Sequence, residues 1–85
     1  MEHRYKQEIL DQLWAHGVQP TPATRPELVH EFVNDLYRFE LRRLRDRRVR
    51  REIAKPDYHD LVVEIRRRYP VLSRKPPQWM EQAPL

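Results

Sequence analysis

Seven of the ten residues from Arg42 to Arg51 are arginine, and only Asp46 among them is acidic. Guanidinium groups at this density neutralise phosphates and release counterions, or they meet carboxylates on another protein. Arg42, Arg43, Arg47, Arg50 and Arg51, joined further on by Arg66, Arg67 and Arg68, are therefore the candidate surface for a protein partner or a polyanion. A plainer reading is compositional. Fourteen Arg against three Lys is what a GC-rich genome encodes without selection for binding. Arg42 with Asp46, Asp46 with Arg50, and Arg48 with Glu52 are also i, i+4 pairs of the kind that stabilise a solvated helix face.

Other chemistry has little to work with. The hydroxyl side chains other than tyrosine are Thr21, Thr24 and Ser73, and none lies near a histidine in a helical frame. There is no Cys, which excludes disulfide and thiolate chemistry, and one Gly cannot build a phosphate-cradling loop. Glu27 and His30 form an E-x-x-H, the spacing of di-iron helical bundles, but such sites need two of these motifs and two further glutamates. Glu27 is better explained as half of a helix cap, and His30 as a residue of the solvated helix edge. The chain is expected to be non-enzymatic, with no metal or cofactor and no small-molecule substrate. Trp79 and Met80 are the candidate hydrophobic anchor, because a buried aromatic of this size dominates interface energetics.

The elements that must position these residues form one domain. With 85 residues, 39% hydrophobic and 35% charged, the chain is more polar than the ~45–50% apolar and ~25% charged average. Its own core is thin, and oligomerisation would supply further burial. Charge is segregated: residues 1–37 balance at −3 and residues 38–85 at +7, which suits a polyanionic partner or association of unlike ends.

Apolar periodicity predicts an all-α fold of three helices. The first covers 2–16, with Tyr5, Ile9 and Leu13 at i, i+4, i+8, closed by Gly17 in the left-handed conformation and Val18 packing back. Thr24 to Glu27 matches a capping box, with Pro26 tolerated in the first turn. The second helix is expected to run from about 25 to 54, continuous because no Gly or Pro lies between Pro26 and Pro56. Leu28, Val29, Phe32, Val33, Leu36, Tyr37 and Phe39 share one broad face in its first half. Beyond Phe39 the apolar residues Leu41, Leu44, Val49 and Ile53 swing round the helix. Lys55-Pro56 is expected to end it, and Asp57 to cap a third helix striped by Tyr58, Leu61, Val62, Ile65 and Tyr69.

The helical domain is thus expected at 1–69. Residues 70–85 are expected to form an extended, proline-rich tail, partly polyproline-like, packing on the helices or on a neighbour. No apolar run approaches the ~18 residues of a membrane span, and Met1 to Lys6 lacks the apolar core of a signal peptide. A cytoplasmic location is the default expectation, and a membrane-surface role is disfavoured by the dispersed apolar residues of the arginine segment. The functional expectation is a small helical protein-interaction or assembly module, acting as a homo-oligomer or as a subunit of a larger complex. The alternative is a DNA- or RNA-binding protein using the same arginines on phosphates.

Overall fold

The computed structural model describes residues 2–81. Three α-helices follow in order, α1 Gln7–Ala15, α2 Pro26–Val49 and α3 Lys55–Arg67, and after them come two 3₁₀ turns, Pro70–Ser73 and Pro76–Trp79. The fold is all-α with a long central helix. Among the described residues the one extended pairing is a single antiparallel bridge between Tyr5 and Met80. Residues 82–85 of the expected tail lie outside the described residues.

The end of α1 follows its glycine. Gly17 has φ 75°. The Gly17 N–H donates to the Trp14 carbonyl and the Val18 N–H to the Leu13 carbonyl, each at 2.9 Å. These are the two bonds of a Schellman closure. The start of α1 comes five residues later than periodicity suggests, because residues 3–6 are drawn into other backbone bonds. His3 N–H donates to Pro22 O (2.8 Å), Lys6 N–H to Trp79 O (2.8 Å), and Glu81 N–H to Arg4 O (2.7 Å).

The expected capping box is not formed. Pro26 is the first residue of α2, and the residue before a proline is pushed out of the helical region. Arg25 accordingly takes φ −69°, ψ 129° and is the N-cap. Thr24 therefore sits one residue too early. Its hydroxyl oxygen accepts the Thr21 N–H (3.0 Å) instead, and its carbonyl accepts the Tyr5 hydroxyl (2.7 Å).

The central helix stops at Val49, five residues short of Ala54, with neither Gly nor Pro to stop it. Arg51 adopts φ 61°, a left-handed conformation that costs a non-glycine residue roughly 1–2 kcal/mol. The closure is again Schellman-like: Arg51 N–H donates to Arg48 O and Glu52 N–H to Arg47 O, both at 3.0 Å. In place of the usual apolar contact across such a cap, Glu52 meets the Arg47 and Arg50 side chains at 3.6 and 3.4 Å. The turn lets the chain reverse, so that Ile53 is buried and α3 lies back along α2 with Ile65 near Leu44 in one apolar cluster. Pro56 belongs to the first turn of α3 rather than ending α2, and Ala54, not Asp57, is the N-cap.

The result is elongated, with extents of 54 × 19 × 17 Å. Its radius of gyration, 15.7 Å, exceeds the about 12 Å of a compact chain of this length. The molecule has a head and an arm. In the head, the C-terminal segment packs against both α1 and α2. Trp79 is fully buried there; its indole N–H donates to the Val71 carbonyl at 3.1 Å and its ring lies 5.2 Å from that of His30. In its described part the proline-rich segment is thus built around two 3₁₀ turns held on the chain's own helices. In the arm, the second half of α2 pairs with α3 alone.

Candidate interaction surface

α2 carries more apolar surface than its own chain covers. Its buried positions are Pro26, Val29, Val33 and Leu44. Leu28, Phe32 and Phe39 are each more than half exposed. At about 100° per residue these three fall within about 40° of one another, and the buried set lies roughly a third of a turn further round. They form a ridge along the first half of the helix. At its end the Arg43 guanidinium sits over the Phe39 ring, 5.8 Å from its centre.

Beside Phe39 the ridge borders an open cleft of about 580 Å³ where the ends of α1 and α3 meet the middle of α2. Leu36, Phe39, Ala15 and Pro70 give it apolar walls. Four of its lining residues bond to one another. The His16 ring stacks on Tyr69 with centroids 4.1 Å apart and planes 11° off parallel. The His16 Nε2–H donates to the Arg68 carbonyl, because a carbonyl can only accept. The Tyr69 hydroxyl donates to Glu40, which also pairs with Arg68 at 3.2 Å. Burial first, then the bond to Glu40 and its charge, push the Tyr69 phenol up to about 12. Together these contacts make a structural lock. The lock ties α1, α2 and α3 together beneath the ridge.

The candidate arginines do not converge on one surface. Arg43, Arg47 and Arg68 share a shallow hollow with Glu40. Arg42 leaves α2 about 100° away from Arg43. Arg50 is engaged by Glu52, and Arg51 is the left-handed residue of the turn. Arg67 opens onto the cleft beside Phe39, and Arg66 onto a different hollow lined by Tyr37 and Leu72. The run is a fan around the arm.

Trp79 offers no exposed surface to a second chain; it fastens the C-terminal segment to the head. Met80, half-buried, packs against the same core and bridges to Tyr5. His30, expected on a solvated edge, contacts the Trp79 ring, while Glu27 is exposed and its charge adds to burial in raising the Tyr5 phenol. Among the described residues no three His, Asp or Glu side chains are placed to hold a metal ion, and no helix is long and apolar enough to cross a membrane.

Sequence reasoning missed the ridge. Its signal was the width of the apolar face on α2: Leu28 and Tyr37 lie on opposite sides of the helix, too far apart for one layer of neighbours to cover. Compared with known proteins, the chain matches no family model, no curated sequence and no solved structure.

Proposed function

We propose that this protein is a non-enzymatic interaction or assembly module whose contact surface is the apolar ridge of α2. The observation that carries the reading is the alignment of Leu28, Phe32 and Phe39, each more than half exposed, on one side of a helix whose core-facing residues lie about a third of a turn away. Exposed apolar residues scattered singly are ordinary; an aligned set beside an apolar cleft marks a binding surface. The arginines flank this surface and contribute attraction and rate more than affinity.

A second reading keeps one specific observation. The tip of the arm exposes Arg45, Arg47, Arg50 and Arg51, with Glu52 close to Arg47 and Arg50, a basic tip suited to phosphates.

The two readings separate in lysate of the source cells. The intact protein is expected to elute above monomer size, to stay there after nuclease treatment, and to return to monomer size in a Phe32→Ser, Phe39→Ser variant. A complex that collapses with nuclease and ignores the phenylalanines would favour the phosphate reading.

A further inference from the structure

The charges beside the ridge identify its occupant. Along the outermost face of α2 stand Glu27, Glu31 and Asp35, then Arg38, Arg42 and Arg45, all exposed. Among the described residues none of the six forms an ion pair within the chain; the recorded pairs involve Glu8, Glu40, Glu52 and their own arginines. A solitary solvated helix gains from alternating signs at i, i+4, and like charges at that spacing oppose it. Here Glu27, Glu31 and Asp35 repeat one sign at that spacing, and Arg38 and Arg42 the other. The helix dipole acts only within the first and last turns, so it does not explain Asp35, Arg38 or Arg42 in the middle.

We infer that the ridge binds a second copy of this chain, with the two α2 helices antiparallel about a two-fold axis near Leu36 and Tyr37. This rests on the reading of the ridge as a protein contact and names the partner. An antiparallel copy brings the same flank of each helix together, so its acidic half meets the other's basic half. Asp35 falls opposite Arg38, Glu31 opposite Arg42, and Glu27 opposite Arg45, because each pair is nearly equidistant from one midpoint. The same axis brings Phe32 of one copy to within about 3 Å along the helix direction of Phe39 of the other, at ~1.5 Å per residue. The apolar ridge and the charge pattern share one centre. A parallel copy would bring this flank against the opposite edge of its partner's ridge and leave the six charges without counter-charges. The contact is self-complementary, as a two-fold interface must be, and the α3 arms point away from each other at its ends.

The test has two parts. A photo-crosslinking amino acid replacing Phe32 in the full chain, activated in the source cells, is expected to give a chain-to-chain adduct mapping near Phe39. A cross-link to a different protein would overturn the second copy while leaving the interaction module standing. No cross-link to any protein would overturn both. In purified protein, Glu31→Arg with Asp35→Arg, and separately Arg38→Glu with Arg42→Glu, are each expected to weaken self-association tenfold or more. Mixing the two variants is expected to restore a one-to-one pair by sedimentation. If the mixture associates no better than either variant alone, the antiparallel pairing is wrong.

Discussion

Around Trp79, at one end of the molecule, five side chains have no exposed surface: Ile9, Leu13, Val33, Val71 and Trp79. In the α2–α3 arm at the other end, the best-buried residues, Leu44, Ile53 and Ile65, keep 5, 7 and 7% of theirs. Both regions share α2, so the helix itself does not make the difference. The number of layers does. In the head, α1, the C-terminal segment and α2 share one core, and every buried polar side-chain atom has a hydrogen-bond partner among the described residues. In the arm, one 13-residue helix covers it, and the arginines occupy the positions where a third layer would sit. The ridge lies on the head half of α2, where the underlying core is firm. A binding surface gains when its side chains are held before the partner arrives.

This contrast sets the size of several effects. Trp79→Ala is expected to cost about 3–5 kcal/mol, the range for emptying a fully buried aromatic site. In a domain this small that loss should abolish the cooperative unfolding transition followed by circular dichroism. Leu44→Ala should cost about 2 kcal/mol, the lower end for a leucine, because a two-layer site can relax. Amide exchange should then rise through α3 and the Arg50–Ala54 turn, while Ile9, Leu13 and Val33 keep their protection. Equal loosening of both regions would erase the distinction between head and arm.

Tyr69 joins the two. Its phenol is raised from 10 to about 12 in the folded chain, so the folded state favours the protonated form. That contribution is complete below the unfolded value near 10 and disappears as pH rises through 12. Stability should fall across this window, and Tyr69→Phe should flatten the slope; Tyr5, raised chiefly by burial, supplies the remainder.

Arg51→Gly should stabilise by roughly 0.5–1 kcal/mol. Relief of the left-handed strain exceeds the added entropy of glycine in the unfolded chain. A destabilised variant would show that the Arg51 side chain holds the turn. The smallest effect is expected at the exposed pair of Glu8 and Arg74, 2.6 Å apart. The bond to Arg74 and its charge lower the Glu8 carboxyl, and Arg74→Ala should return it towards its ordinary value by NMR titration without a measurable change in stability at neutral pH.

How much of this was legible in the chain depended on which residue carried the signal. Gly17 announced the end of α1, because glycine is the residue that takes a left-handed closure freely. The core stripe of α1 and that of α3 could be read from spacing. The end of α2 could not: Arg51 makes the same closure against its intrinsic preference, and burial of Ile53 and Ile65 decides the matter through contacts distant in sequence. Thr24 and Glu27 looked like a capping box because the motif is right, yet Pro26 moved the helix start by one residue. Trp79 was recognisable as an anchor, but spacing alone does not say whether a tail turns back on its own chain. The arginines drew attention by number, while Leu28, Phe32 and Phe39 looked like ordinary core; only the structure shows which apolar positions have no neighbour.

The most direct measurement is the molar mass of the purified, nuclease-treated protein by light scattering across a concentration series, with two variants alongside. The ridge account predicts that the wild-type chain approaches twice its monomer mass. Phe32→Ser with Phe39→Ser should shift that curve at least tenfold in concentration, while Arg47→Ala with Arg51→Ala, changes at the arm tip, should barely move it. A monomer at every concentration, or an assembly that loses its mass with the arginines and keeps it without the phenylalanines, would contradict it.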